Sequence, residues 1–249
     1  MSRGVLGTVL GLTPSGVLAA ALTGAIAFAA GAAWLGLLLL YFAAATAVSR
    51  VGRETKALKS GGLLEKSGPR DATQVLANGA AFAGGALMFV LTNEPVWVAF
   101  STGALAASSA DTWATELGLL SREVPRSITT AKPVQPGASG GVTLAGTAAG
   151  VMGALVVACA AMLLALEVPL GASLIGGVTG MLVDSLLGAA AQERRWCRAC
   201  ARGTERPIHG CGVDSELTGG VPGLRNDAVN ALATLSGGAV AVGMLTVLA

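Results

Sequence analysis

Charge is what this 249-residue chain has least of: Lys, Arg, Asp and Glu make up 12% of it against 53% hydrophobic residues, and histidine occurs once. With a mean hydropathy of +0.69, this composition excludes a soluble globular domain, whose surface needs far more groups that water solvates. The shortage is also local. No charged residue lies between Arg3 and Arg50, a stretch with room for two crossings of about 20 residues each. The N-terminal stretch therefore reads as a retained signal anchor rather than a cleaved secretory peptide. A formal net charge of +2, with the basic residues in short loops beside apolar runs, argues against nucleic acid as a partner and for anionic lipid headgroups.

What is present is a series of apolar runs. They predict an all-α, polytopic membrane bundle of about seven transmembrane helices, near residues 12 to 30, 32 to 49, 72 to 92, 95 to 120, 140 to 166, 169 to 192 and 226 to 248. The residues before Pro14 read as a short interfacial helix. Three basic loops separate the runs: Arg50 to Arg70 and Arg194 to Arg225 each hold six Lys or Arg, and Arg122 to Lys132 holds three. With Arg3 they account for all 16 basic residues, whereas the opposite loops hold only Glu94 and Glu167. The asymmetry puts the basic loops in the cytoplasm, the N-terminus with them in a seven-span arrangement, and the protein in the plasma membrane. A six-span arrangement moves the N-terminus outside and leaves these loops cytoplasmic. The chain reads as one transmembrane helical domain over 1–249, with residues 193–225 as a cytoplasmic loop. No internal repeat is evident.

The 36 glycines fit helices that approach closely through small-xxx-small faces, such as Gly7/Gly11, Gly146/Gly150 and Gly176/Gly180.

Against that apolar background four acids stand out. Asp111, Glu116, Asp184 and Asp227 lie in or at the ends of apolar runs, where each charge costs roughly 2.5 to 3.5 kcal/mol at mid-bilayer. On the fourth run Ser101, Ser108, Asp111, Thr112, Thr115 and Glu116 share an arc of about 140°. Gly177, Asp184, Ser185, Gly188 and Gln192 share a face of the sixth, Asn226, Asp227, Asn230 and Thr234 one of the seventh, and Asp71, Gln74 and Asn78 a weaker one of the third. In the assigned topology all four acids sit in the cytoplasmic half, so they can meet. Carboxylate and amide oxygens are hard ligands, which favours Mg²⁺ and, with it, phosphate. The competing reading pairs the acids with Arg225 or Arg194 at helix ends.

The loop Ser121 to Gly141 combines Arg122, Arg126 and Lys132 with a Ser139-Gly140-Gly141 start to the fifth run. Glycine amides at a helix N-terminus can cradle a phosphate, although a cap and a turn is the commoner use of such a sequence. Cys197 and Cys200 form a CxxC followed by His209 and Cys211, so three thiols and the only histidine fall within 15 residues. In a reducing cytoplasm this set fits a closed, structural Cys₃His zinc knuckle. Cys159 reads as a small buried apolar residue.

Four segments, SSADTWATELGLLS at 108 to 121, SITTAKPVQPGASGGVTLAG at 127 to 146, DSLLGAAAQ at 184 to 192 and NDAVN at 226 to 230, closely resemble one membrane family. This is the "domain of unknown function ninety-two" family, which includes the plastid phytyl phosphate kinase of tocopherol synthesis; the resemblance runs from about Gly16 onward. It implies Mg²⁺-dependent phosphoryl transfer from CTP or ATP to a phytyl- or prenyl-type monophosphate. Asp111, Glu116, Asp184 and Asp227 would be the catalytic acids, with Asp111, Asp184 and Asp227 on Mg²⁺ and Glu116 orienting the acceptor. Thr112, Thr115, Arg126, Lys132, Ser139, Gly140, Gly141, Ser185, Asn78, Asn226 and Asn230 would contact substrate or phosphate. The CxxC and HxC loop resembles many prokaryotic members but is not shared across the family, which speaks for a structural ion. Two rival functions are a cation- or proton-coupled transporter, which needs polar lining through to the outer leaflet, and a phosphotransferase acting on CDP-linked alcohols, whose DG…AR…G…D…D run is absent.

Overall fold

In the computed structural model, which describes residues 11–60 and 68–248, seven long helices occupy the seven predicted runs. They are α1 (Pro14–Ala30), α2 (Ala32–Arg50), α4 (Ala72–Thr92), α5 (Val96–Gly118), α6 (Leu144–Leu163), α7 (Leu170–Ala190) and α8 (Asn226–Leu248), with a short α3 (Arg53–Ser60) between α2 and α4. The expected interfacial helix before Pro14 and the Gly7/Gly11 face lie outside the described residues. The result is an all-α membrane bundle in which α2, α4, α6, α7 and α8 are long and apolar enough to cross a bilayer. Helix α1 is apolar but only 17 residues long.

Local chemistry sets the helix starts. Thr13 caps α1 and Pro14 takes the first turn, where its missing N–H leaves no bond unmade. Asp71 and Gln74 form a reciprocal capping box on α4. Their polarity, assigned to a stripe on the third run, is thus largely spent on the helix start. The fifth run begins later than predicted: α6 starts at Leu144 with Thr143 as its cap, and Ser139 to Val142 precede it as turn and strand.

Helix α5 is the axis of the bundle, packed against α2, α4, α6, α7 and α8, with every residue from Ser101 to Ala110 buried. Its hydroxyls bridge to neighbours instead of water: Ser101 donates to the Phe82 carbonyl (3.1 Å), Ser109 to Gly153 (2.8 Å) and Ser173 of α7 to Thr102 (2.8 Å). Glycine permits the closest approaches. A Cβ on Gly103 would stand 2.4 Å from Ala241 Cβ, and one on Gly176 2.4 Å from the Gly237 carbonyl oxygen, so α5, α7 and α8 meet backbone to backbone. Gly150 likewise faces Met181 and the Ala110 carbonyl.

The described residues 51–60 and 68–71 and the segments 119–143 and 191–225 gather at one end of the bundle, the first touching the second and the second the third. Lys59 Nζ donates to the Ser121 carbonyl (2.6 Å), and Ser139 Oγ donates to Glu205. The middle segment forms a small hairpin, β1 (Arg126–Ser127) against β2 (Gly141–Val142). The last folds into a three-stranded antiparallel sheet in the order β4 (Arg202–Thr204), β3 (Arg194–Cys197), β5 (Glu216–Gly219). Where this sheet leaves α7, the buried Glu193 carboxylate accepts from the Gly223 amide (2.7 Å) and from Arg195, tying the start of the segment to its end just before α8.

These contacts set two expectations. Gly237→Val should destabilise the detergent-solubilised protein by about 1 to 3 kcal/mol or more, read as lost monodisperse protein and a lower melting temperature. Gly84→Ala, placed where a Cβ meets nothing within 4 Å, should leave both unchanged. The Gly223 amide and Arg195 hold the Glu193 carboxyl below its ordinary range, so the unfolded chain binds this proton more readily than the folded one. Its stabilisation is therefore full above the ordinary carboxylate pKa and fades as pH falls through the lowered folded value. Glu193→Gln should cost about 1 to 3 kcal/mol at pH 7, and the gap from wild type should narrow in melts taken at progressively lower pH.

Candidate functional site

At the loop-bearing end a cavity of about 270 Å³ opens among α4, α5, α7 and α8. Its lining includes Gln74 and Asn78 from α4, Asp111, Thr112, Thr115 and Glu116 from α5, Asp184 and Ser185 from α7, and Asn226, Asp227 and Asn230 from α8. Ser139, Gly140 and Gly141 close one side. Among the described residues five carboxylates line this space (Asp111, Glu116, Asp184, Glu205 and Asp227) against one cationic side chain, Arg70.

The packing explains why Asp111 and Asp184 meet. Helices α5 and α7 run in the same direction and touch where a Cβ on Gly180 would stand 2.4 Å from Ala107 Cβ. One turn further along each helix brings Asp111 opposite Asp184, with their carboxyl groups within hydrogen-bonding reach of each other. Two ionised carboxylates that close repel each other, and a cation between them would offset that repulsion. Asn230 of α8 completes the group: its amide nitrogen, assigned from the surrounding donors and acceptors, lies 3.0 Å from Asp184 Oδ1. Asn78 is held by bonds on both ends of its amide, accepting from Ser108 Oγ (2.9 Å) and donating to the Gln74 carbonyl (2.9 Å), while Tyr41 joins through Ser108 (2.7 Å).

Glu116 has a partner of its own, Lys56 of α3, whose ammonium also donates to the carbonyls of Val48 (3.2 Å) and Ser49 (2.9 Å) at the end of α2. The competing reading pairs the acids with Arg225 or Arg194; Arg194 donates to the Ala189 carbonyl at the end of α7 (3.1 Å).

Two expected phosphate contacts lie elsewhere. Arg126 and Lys132 do not line the cavity; both are exposed on the hairpin, where the Arg126 guanidinium donates to Ala131 (2.9 Å). The predicted anion cradle at the start of the fifth run is also filled. Helix α6 begins at Leu144, and the Glu123 carboxylate accepts from the amides of Leu144 (2.8 Å) and Ala145 (3.3 Å), while Thr143 takes that of Gly146 (3.0 Å). Ser139, Gly140 and Gly141 still border the cavity, with a packing role. Gly140 has φ +74, and a Cβ there would stand 2.4 Å from Ala189 Cβ of α7.

Arg70, Lys56 and Glu205 are the functional candidates missing from the sequence reading. Arg70 borders the cavity and donates to Ser49 Oγ (3.2 Å). Glu205 reaches it from the cysteine-bearing sheet, accepting from Ser139. Only Lys56 leaves a trace in the sequence, as the inward position of the amphipathic Arg53–Ser60 helix.

Near Glu205, one ligand atom from each of Cys197, Cys200, His209 and Cys211 lies within 4.8 Å of the others. His209 and the Val213 amide pull the Cys211 thiol down to about 6, and hydrogen bonds within the cluster push that of Cys200 up to about 11.

Beyond the polar cavity, α4 and α8 border a second hollow of about 350 Å³, lined by Leu76, Ala80, Gly84, Met88, Phe100 and Leu235 among others. It follows the same two helices onward from Asn78 and Asn230 and is almost wholly apolar.

Lys56→Met would strand the Glu116 carboxylate. The pair is neither surface nor fully buried, with side-chain exposures of 7% and 26%, so a loss of about 1 to 3 kcal/mol is expected. The double variant Lys56→Met/Glu116→Gln should recover about half of it in thermal melts, the remainder reflecting the lost cap on α2.

The model of the family described as "Integral membrane protein DUF92" matches residues 7–238. The chain is 31% identical over 233 residues to an uncharacterised membrane protein of Methanocaldococcus jannaschii, covering 93% of this chain and 84% of that one. It is 31% identical over 252 residues to Protein PGR of Arabidopsis thaliana (89% and 84%), and 29% over 242 residues to an uncharacterised membrane protein of Synechocystis (94% and 82%). No solved structure matches the chain.

Proposed function

This chain belongs to the DUF92 family of integral membrane proteins, and from that membership and the acidic cavity we propose that it transfers a phosphoryl group from a nucleoside triphosphate, CTP or ATP, to an isoprenyl monophosphate. The observation that carries the reading is the lining of one small cavity by Asp111, Asp184 and Asp227, drawn from three helices, with Arg70 the single cationic side chain among the described residues that line it. Such a lining repels a bare phosphate and suits a phosphate that arrives with a divalent cation. Asp111, Asp184 and Asp227 are hard oxygen donors that would hold Mg²⁺, and the ion would supply charge to offset that of the phosphates.

The protein's own share is positioning. A cavity of about 270 Å³ is smaller than most whole-ligand pockets, so it suits the reacting phosphates, with ribose and base lying toward the loops. Arg70 supplies the positive charge next to the site, taking the role first expected of Lys132. Asn226, Thr112, Thr115 and Ser185 offer hydrogen bonds to phosphate oxygens. Glu116, paired with Lys56, acts as a positioning residue that holds α3 over α5. A terminal oxygen of the acceptor monophosphate attacks the γ-phosphorus, the new O–P bond forms as the β–γ bridging bond breaks, and the nucleoside diphosphate leaves. The attacking oxygen is already ionised, so no side chain has to remove a proton.

The apolar hollow along α4 and α8 offers the acceptor's hydrocarbon tail a place on two of the helices that also line the headgroup site. This arrangement corresponds to a working face on the cytoplasmic side of the plasma membrane, where nucleotide is available. A transport function has less support, because the hydroxyls of Ser101, Thr102 and Ser173 further along the bundle bond to protein partners.

Purified protein with Mg²⁺ and CTP or ATP should convert an isoprenyl monophosphate to its diphosphate. Asp111→Asn or Asp184→Asn should lower turnover about 100-fold or more at unchanged yield and elution volume, and Lys132→Ala should stay within about twofold of wild type. Gly84→Phe, which fills the apolar hollow, should raise KM for long-chain acceptors about tenfold and spare short ones. No conversion across a panel of chain lengths and both nucleotides would end the proposal.

A further inference from the structure

The cysteine-bearing sheet and the acidic cavity are joined by one residue, Glu205. It follows β4 directly, borders the cavity and accepts a hydrogen bond from Ser139. The sheet that carries it is tied by polar bonds, such as those from Arg195 to Ser215, but buries little apolar surface. Its three strands are three or four residues long, and Trp196 and Leu217 of the strands and Ile208 and Val213 of the turn between them are exposed. A unit this small ordinarily needs a staple.

The four ligand side chains are placed to supply one. Cys197 and Cys200 come from the β3–β4 turn, where Ala201 takes φ +48; His209 and Cys211 come from a second turn, where Gly212 takes φ +83. That second turn is closed by bonds from the His209 amide to Val213 and from the Gly212 amide to His209, each 2.9 Å. Cys197 Sγ is 3.6 Å from Cys211 Sγ, too far for a disulfide and close to the S···S edge of about 3.8 Å in a tetrahedral zinc–thiolate site. His209 Nδ1 lies 3.2 Å from Cys211 Sγ, and all four ligand atoms fall within 4.8 Å of one another.

We infer that Cys197, Cys200, His209 and Cys211 hold a structural zinc ion that clamps the two turns of this sheet and thereby presents Glu205 to Ser139 at the rim of the cavity. Four protein ligands complete a tetrahedron, so the ion has no open position for substrate and works by fixing backbone. On this account the charge that Glu205 adds to the cavity depends on zinc bound at the neighbouring knuckle.

The test uses the full-length protein in detergent. Elemental analysis should find about one zinc per chain, falling about tenfold in Cys200→Ser and in Cys211→Ser. Co²⁺ loaded in its place should give the visible bands of a tetrahedral thiolate site. Because a cysteine variant can fail to fold, the second arm strips zinc from wild-type protein with a chelator and then restores it. Hydrogen exchange should rise in residues 194–219 and 135–141 on stripping and return on reloading, while Glu205→Gln should raise exchange in 135–141 alone. Zinc content that survives both cysteine substitutions, or exchange in 194–219 that ignores stripping, would overturn the zinc site. Exchange in 135–141 that ignores both stripping and Glu205→Gln would overturn its link to the cavity. None of these readouts depends on the phosphoryl-transfer reading.

Discussion

The pairing of Asp111 with Asp184 across two parallel helices is the constraint around which the rest of the structure is arranged. Each carboxylate alone costs a few kcal/mol in hydrocarbon, and side by side they repel. Separating the helices would relieve the repulsion, yet Gly177 and Gly180 seat α7 directly on Ala106 and Ala107 of α5, and Gly237 closes the third side. The carboxyl groups are therefore held side by side by the helix packing, with the Asn230 amide donating to Asp184. Fixed groups that bind a cation better than they tolerate each other are a general way to preorganise a site.

The basic residues follow a complementary logic. Lys56 ends α2 and Arg194 ends α7 by donating to carbonyls of their last turns, where the helix dipole is negative. Two of the helices that run toward the loop-bearing end are thus finished by a cation, and Lys59 holds the turn just past α5 through the Leu120 and Ser121 carbonyls. Lys59 and Arg194 spend their charge on backbone carbonyls in this way, whereas Lys56 also pairs with Glu116 at the cavity. The same charges that orient a membrane protein also cap its helices.

Much of the fold was legible because hydrophobic runs have few solutions in a bilayer. The limits predicted for the third and seventh runs coincide with α4 and α8, and the polar stripes on α5, α7 and α8 converge because side chains at helical spacing share a face. The loops were less legible. Leu144 rather than Gly140 begins α6 because Glu123, 21 residues earlier, takes its free amides, and no local pattern encodes a cap from that distance. Arg126 and Lys132 lie on a hairpin tip whose register depends on Pro133 and Val142, so their charge suggested a role that their position does not provide. Glu205 carries no local signal, and only the sheet fold brings it to Ser139.

By itself the sequence determined where the helices lie, which faces carry polar groups and which four side chains can form a metal-binding set, since all three follow from local periodicity and spacing. Only the tertiary structure decided which charges meet: Glu116 with Lys56, Glu205 with Ser139, Arg70 at the cavity and Lys132 away from it. The physical reason is range. Periodicity acts over a few residues, whereas those pairings join positions more than fifty apart, brought together by glycine-mediated helix contacts and by loops whose paths depend on the bundle beneath them.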